Sequence, residues 1–236
     1  MEIREAVVLA GGLGTRLRSV TGDTPKVMAL VGGRPFLEYI LDYLKVNGIT
    51  RVVIAAGYGS EVLKNHFGSS YRNIDIIWSE EREPLGTGGA ILQAAGYTLS
   101  DSFFVLNGDT FFNVPLQTMA SSVGSNLNSV CLALKPMTDF DRYGAVEISD
   151  GKVKKFVEKR RVVNGLINGG VYLISKGWLM KKAPELRFSF EKEILERYVE
   201  EGDISAFICD NYFIDIGIPA DWARAQSEVP GLFGMV

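Results

Sequence analysis

The stretch that decides the fold is Ala6-Val7-Val8-Leu9-Ala10-Gly11-Gly12-Leu13-Gly14-Thr15-Arg16-Leu17. Its first five residues form an unbroken apolar run, the pattern of a buried strand. Gly11, Gly12 and Gly14 then remove the side chains that would hold a polyanion away. Backbone N–H groups in such a turn can point at phosphate oxygens. Arg16 adds a fork-shaped cation, and Lys26 follows directly after Pro25. A strand, a glycine turn and two fixed cations read as a phosphate-binding site. The bland alternative is a tight strand-to-loop turn that needs glycine only for its backbone angles.

Two familiar phosphate motifs are excluded. A dinucleotide fingerprint ends in a small residue where this chain has Leu17. A P-loop needs Gly-Lys-Ser/Thr, and the one Gly-Lys pair, Gly151-Lys152, is followed by Val153.

The 236 residues are enough to bury a full core. A hydrophobic share of 47% and a charged share of 22% are ordinary for a globular protein. The net charge of −3 argues against nucleic acid or a membrane surface as partner, since either calls for basic excess. The N-terminus has no signal-peptide pattern, and no apolar run approaches the ~20 residues of a membrane span. Cys131 and Cys209 each sit in an apolar run and read as buried free thiols. A cytoplasmic protein is expected. The lone histidine, His66, cannot furnish a Ser-His-Asp triad together with other roles or a multi-histidine zinc site, and reads as a surface residue near a helix end.

Strands and amphipathic helices alternate through the first half. Helices are expected at residues 36–45, 61–67 and 86–95, and strands at 51–56, 74–78 and 103–106. Such βαβ alternation indicates a mainly parallel sheet with helices on both faces. Strands then follow with fewer helices, at 129–134, 144–148, 153–157 and 170–174, and Asp150-Gly151 marks a hairpin. Helical character returns at 190–201. A final strand, 211–216, precedes a closing helix from Pro219 to about Glu228. With no linker or repeat, residues 1–236 read as one domain, its N-terminal half for a nucleotide and its C-terminal half for a second substrate.

Asp109 follows the apolar strand ending at Leu106, where open parallel sheets bind ligands. Magnesium prefers one or two carboxylates together with substrate phosphate oxygens, so Asp109 is a metal candidate. Its alternative is a turn-capping aspartate. Asp215, flanked by Ile214 and Ile216, needs a cation if buried. It reads as a second metal carboxylate or as a structural partner of an arginine. Glu83-Pro84-Leu85-Gly86-Thr87-Gly88-Gly89-Ala90 suits close approach to a flat ring, or is a plain helix entry after Pro84. Glu158-Lys159 and Asn168-Gly169-Gly170 offer the acceptors, cation and amide that a sugar phosphate requires, although a Glu-Lys pair is also a common solvated pair. Phe140-Asp141-Arg142-Tyr143-Gly144 is either a binding loop or a strand connection.

Together these blocks resemble the sugar-1-phosphate nucleotidyltransferase family. The signature loop from Leu9 to Leu17, Thr24-Pro25-Lys26-Val27-Met28, residues 83–90, Asn107-Gly108-Asp109, Val157-Glu158-Lys159, Asn168-Gly169-Gly170 and Asp215-Ile216-Gly217 occur in the expected order. The resemblance implies a Rossmann-like three-layer α/β/α sandwich with a mixed, mostly parallel central sheet. It implies the reaction of an NTP with a sugar 1-phosphate to give an NDP-sugar and pyrophosphate. By the same resemblance Leu9, Ala10, Gly11, Gly12, Gly14, Thr15, Arg16, Lys26, Gly88 and Asp109 hold the nucleotide. Arg16, Lys26 and Asp109 are catalytic, and Asp109 and Asp215 bind Mg²⁺. Asn107, Gly144, Glu158, Lys159 and Asn168 hold the sugar phosphate.

Within the family, residues 132–144 and 165–172 look most like guanylyltransferases acting on D-glycero-D-manno-heptose 1-phosphate. GTP is then the favoured nucleotide, GDP-heptose the product and bacterial surface glycan its use. Alternatives are mannose 1-phosphate guanylyltransferases and N-acetylmuramate or glucose 1-phosphate uridylyl-, thymidylyl- or cytidylyltransferases. A binding-only regulatory subunit is an alternative of another class. A homodimer is expected from the family.

Overall fold

Apolar runs without alternation become strands covered on both faces, and runs with helical spacing become the helices that cover them. The computed structural model describes residues 2–12, 14–17, 22–124 and 129–232. Leu13 and the side chain of Thr15, both in the opening turn, lie outside the described residues. The first half contains β1 (Glu5–Leu9), a short ribbon of β2 (Leu30–Val31) and β3 (Arg34–Pro35), α1 (Phe36–Val46), β4 (Arg51–Ala56), α2 (Ser60–Phe67), β5 (Ser70–Tyr71), β6 (Ile74–Glu80), α3 (Gly86–Ala95), β7 (Ser102–Asn107), β8 (Thr110–Phe112) and α4 (Leu116–Ser122). The second half contains β9 (Val130–Phe140), β10 (Ala145–Ser149), β11 (Lys152–Val157), β12 (Val162–Ser175), α5 (Lys176–Lys182), β13 (Ser205–Ile208), β14 (Phe213–Asp215) and α6 (Pro219–Leu232).

β1 is central, flanked in parallel by β4 and β7, with β6 parallel beyond β4. The chain runs from β1 outward through β4 and β6, then crosses back to place β7 on the other side of β1. That reversal creates a crevice at the carboxyl ends of β1 and β7, the place where open α/β sheets take ligands. β12 joins β7 antiparallel through pairs such as Tyr172 with Val105, and β9 joins β12 antiparallel. The ten-stranded sheet is therefore mixed, with its parallel block in the first half.

Alternate residues of β1 enter opposite cores. Ala6 and Val8 pack with Phe36, Leu37 and Ile40 of α1 on one face. Val7 packs with Ile91 of α3, Phe103 and Tyr172 on the other. Full burial of one such side chain is worth about 1.5–3 kcal/mol relative to exposure, so these two cores fix the layer order. The result is a three-layer α/β/α arrangement. Gly48, at φ +79°, follows the end of α1. His66 is exposed near the end of α2, with Nε2 2.9 Å from the Glu38 carboxylate. Cys131 and Cys209 are free and buried. Among the described residues no helix is long and apolar enough to cross a membrane.

Asp150-Gly151 makes the expected hairpin turn, with φ of +53° and +70°, between β10 and β11. Several expectations change. β9 continues past Leu134 to Phe140, with Pro136 opposite Leu166, and β12 starts eight residues before Gly170. A register irregularity between Asn168 and Tyr172 falls at Gly169 and Gly170, where the strand was expected to begin. Helical character does return over 190–201, as a π-helical stretch, Glu191–Glu196, and a short 3-10 turn at Val199–Glu201. The expected last strand shortens to β14 and pairs with β8 in a separate two-stranded ribbon. β13 was not foreseen; it runs parallel to β9.

Candidate active site

The site grows from the carboxyl end of β1. Gly108 N–H donates to Leu9 O at 2.9 Å, and a Cβ at residue 108 would stand 2.6 Å from that oxygen. Glycine thus lets the Asn107-Gly108-Asp109 turn press against the end of β1. β8 starts at the next residue, and its Thr110 pairs with Asp215 of β14. Ile216 N–H donates to Asp109 O at 3.0 Å. Two carboxylates distant in sequence are held side by side by this ribbon.

Lys26 lies between them. It begins a short 3-10 turn after Pro25, and its side chain is buried. Nζ is 2.6 Å from Asp109 Oδ2 and 3.7 Å from Asp215 Oδ1. Asp215 Oδ1 also accepts the Gly217 N–H at 2.7 Å. Arg142 stands 3.9 Å from Asp215 Oδ2 and pairs closely with Asp221 at the start of α6. Burial pushes the Asp215 carboxyl above its ordinary range, and the charge of Asp109 pushes the same way. Lys26, the Gly217 N–H and Arg142 oppose that rise without cancelling it. A further cation beside Asp215 would favour its charged form, which burial disfavours.

A divalent metal can be tested against this donor set. Asp109 and Asp215 are close enough for one lysine to reach both, and their oxygens are the hard ligands Mg²⁺ prefers. Among the described residues there is no cluster of three or more His, Cys, Asp or Glu able to hold a metal. The remaining ligands would be phosphate and water oxygens, as is usual where Mg²⁺ accompanies a nucleotide. The residues fit.

These groups open into a cleft of about 790 Å³. Leu9, Ala10, Gly11, Gly12, Gly14, Arg16 and Lys26 line it from the β1 side, with Asn107, Asp109 and Gly217 at the carboxylate end. Glu83, Pro84, Gly86, Thr87 and Ala90 line it as well. The size suits a small-molecule ligand. The structure thus brings together the expected nucleotide set apart from Gly88 and from Thr15, whose side chain lies outside the described residues. Gly88 is buried on the far side of its turn, where a Cβ would stand 2.1 Å from the Phe188 ring. Its neighbours Gly86 and Thr87 face the cleft instead.

The sugar-phosphate candidates gather at one end of the antiparallel ribbon. Ala145 pairs with both Val157 and Ile167, which places Gly144, Glu158 and Asn168 next to one another beyond those pairs. Asn168 donates from Nδ2 to the Tyr172 hydroxyl at 2.9 Å and accepts the Gly170 N–H at 3.1 Å. Asn107 approaches from β7, its Nδ2 2.6 Å from where a Cβ on Gly170 would lie. Glu158 and Lys159 are exposed, and apart from Asn107 this group lies outside the lining of the cleft.

Sequence reasoning missed Glu81 and Glu191, both of which line the cleft. Glu81 sits just past the carboxyl end of a parallel strand, a placement that could have flagged it. Glu191 had no such signal. It enters through the π-helical stretch, accepting from Thr87 Oγ1 at 2.6 Å and Ser189 Oγ at 3.0 Å.

The chain belongs to the nucleotidyl transferase family, whose model matches residues 5–230. Two curated relatives cover nearly all of it. The D-glycero-alpha-D-manno-heptose 1-phosphate guanylyltransferase of Aneurinibacillus thermoaerophilus is 45% identical over 95% of this chain and 98% of its own. The enzyme of the same name from Campylobacter jejuni is 46% identical over 92% and 96%. Among solved structures, HddC from Yersinia pseudotuberculosis complexed with GMP-PN superimposes with a TM-score of 0.85 at 36% identity, covering 96% of this chain and 99% of that one.

Proposed function

We propose that this protein is a guanylyltransferase that joins GTP and D-glycero-α-D-manno-heptose 1-phosphate into GDP-heptose and pyrophosphate. The observation that carries the reading is Lys26 shared between Asp109 and Asp215 at the mouth of a phosphate-binding glycine turn. The relatives named above supply the base and the sugar.

The chemistry follows from the inventory of groups. A phosphate oxygen of the sugar 1-phosphate attacks the α-phosphorus of GTP, the bond to the bridging β-phosphate oxygen breaks, and pyrophosphate leaves with that electron pair. The attacking oxygen is already anionic near neutral pH, so no histidine base is required. Gly11, Gly12 and Gly14 would present N–H groups to the triphosphate while Arg16 neutralises its outer charge. Lys26 would carry positive charge to the α-phosphate, where it increases in the transition state. Asp109 and Asp215 would hold Mg²⁺, whose contribution when bound is Lewis-acid neutralisation of phosphate oxygens. Gly144, Glu158, Lys159, Asn168 and Asn107 would place the sugar phosphate for in-line attack.

A turnover panel tests this reading. GTP, UTP, dTTP and CTP are each combined with heptose, mannose, glucose and N-acetylmuramate 1-phosphates in the presence of Mg²⁺, and pyrophosphate release is recorded. The highest kcat/KM is expected for GTP with the heptose phosphate. A preference for UTP or dTTP overturns the guanylyl assignment; binding without release across the panel favours a regulatory subunit.

A further inference from the structure

Among the described residues that line the cleft, Glu191 and Gly217 alone come from the second half of the chain, the half that carries most of the sugar-phosphate candidates. A carboxylate is unexpected there. It repels the triphosphate unless neutral donors of the ligand face it.

Glu191 is partly buried and fastened from one side. Its Oε2 takes both hydroxyl donors, Thr87 Oγ1 at 2.6 Å and Ser189 Oγ at 3.0 Å. Thr87 Oγ1 in turn accepts the Phe190 N–H at 2.9 Å, and Ser189 Oγ accepts the Lys192 N–H at 3.2 Å. These bonds orient the carboxylate and leave its other oxygen free: among the described residues no hydrogen bond or ion pair reaches Oε1. The stretch that carries it, Glu191–Glu196, is π-helical, a rare form that recurs at functional sites.

The same segment is tied to the sugar row. Phe190 is fully buried and meets the Tyr172 ring edge-on, with centroids 5.3 Å apart. The Tyr172 hydroxyl accepts the Asn168 Nδ2 bond. Burial pushes the Tyr172 hydroxyl above its ordinary range, and the charge of Glu191 pushes the same way, so the carboxylate stands close to that hydroxyl. Glu191 therefore sits where the 86–87 turn and the Asn168 side of the ribbon converge.

We propose that Glu191 binds the sugar of the second substrate, accepting from its hydroxyls through Oε1. An ionised carboxylate only accepts, so its ligand must bring donors. A sugar phosphate offers several O–H donors away from its phosphate and carries no negative charge there. Together with Glu158, Glu191 would give the sugar two carboxylate acceptors, one from the ribbon and one from the cleft. This inference rests on the reading above and adds a sugar contact that the expected residues do not include.

The test separates sugar from nucleotide. Affinities for GDP and GDP-heptose are measured by calorimetry for the unaltered protein, Glu191→Gln and Glu191→Ala, together with KM for each substrate. Glutamine keeps an oxygen for Thr87 and Ser189 and replaces the free one with an amide donor, so it spares the turn. Hydrogen bonds to a charged group are worth about 10- to 100-fold in affinity. GDP-heptose should bind about 10-fold more weakly to Glu191→Gln and up to about 100-fold more weakly to Glu191→Ala, with KM for the heptose phosphate rising alongside. In Glu191→Gln, GDP affinity and KM for GTP should stay within about 2-fold, since no nucleotide contact is lost. Equal losses for GDP and GDP-heptose would assign Glu191 to the nucleotide or to its turn and overturn the proposal. Unchanged GDP-heptose affinity in both variants would overturn it as well. If the unaltered protein forms a UDP-sugar rather than GDP-heptose, the parent reading fails, and the same comparison with UDP and that UDP-sugar decides the role of Glu191.

Discussion

The two halves of the sheet build their parts of the site by different means. In the first half, parallel strands end together, and each end offers a group to the cleft: Gly11 after β1, Glu81 after β6, Asp109 after β7. In the second half, antiparallel strands place Gly144, Glu158 and Asn168 side by side through ladder register. The first arrangement concentrates backbone N–H groups and fixed charges, which suits phosphate chemistry. The second offers an adjustable polar row, which suits a sugar. The difference suggests that chemistry and nucleotide belong to the parallel half and choice of sugar to the antiparallel half.

The largest expected effects lie where the halves meet. Lys26→Ala and Asp109→Ala should each lower kcat by about 10²–10³, the scale of one preorganised electrostatic contact. Near-normal turnover of both in saturating Mg²⁺ would remove the carboxylate–lysine centre from the account. Asp215→Asn should lose activity on the same scale yet melt at a higher temperature than the unaltered protein. The sign follows from the raised carboxyl: the folded state binds this proton more tightly than the unfolded chain does. Stability from this group is therefore lost as pH rises from the ordinary aspartate range through the raised value, and a neutral amide avoids the loss. Calorimetric melting at pH 7 checks it; a clear fall in Tm would show that the carboxylate supports the fold.

Smaller effects should separate the halves. Glu158→Gln and Asn168→Ala are expected to raise KM for the sugar phosphate about 10-fold while leaving KM for GTP within about 2-fold, given loss of one or two hydrogen bonds. Equal shifts for both substrates would erase the division of labour. Gly88→Ala should act on stability rather than on nucleotide affinity. The added methyl meets the Phe188 ring, and such overpacking costs about 1–3 kcal/mol. A normal melting temperature with weakened GTP binding would restore Gly88 to the ligand surface.

The same contrast explains what could be read from the chain alone. In the parallel half, strands are short apolar runs between helices with clear periodicity, and β4 and α3 occupy the expected residues, Arg51–Ala56 and Gly86–Ala95. The glycine turn and Asp109 were legible because they sit where strand ends meet ligands. In the antiparallel half, the expected strands stopped at Leu134 and began only at Gly170, but the strands run on through Pro136 and from Val162 because pairing from neighbours decides the matter. β13, Ser205–Ile208, was missed although the run Ile204-Ser205-Ala206-Phe207-Ile208-Cys209 is largely apolar, because it is short and stands only a few residues before the expected strand at Asn211. The pairing of β8 with β14, which sets Asp109 beside Asp215, joins residues about a hundred positions apart, and local sequence holds no trace of it. Glu81 escaped notice for a different reason, because it stands among other acidic residues that read as solvated charge.

The central claim is that the Lys26–Asp109–Asp215 centre transfers a guanylyl group to a sugar phosphate. It is tested most directly by pyrophosphate release from GTP and D-glycero-α-D-manno-heptose 1-phosphate with Mg²⁺, with the nucleotide product identified alongside. The account predicts one pyrophosphate released for each GDP-heptose formed, with both suppressed together in Asp109→Ala. Binding of both substrates without release, or release undiminished in Asp109→Ala, would contradict it.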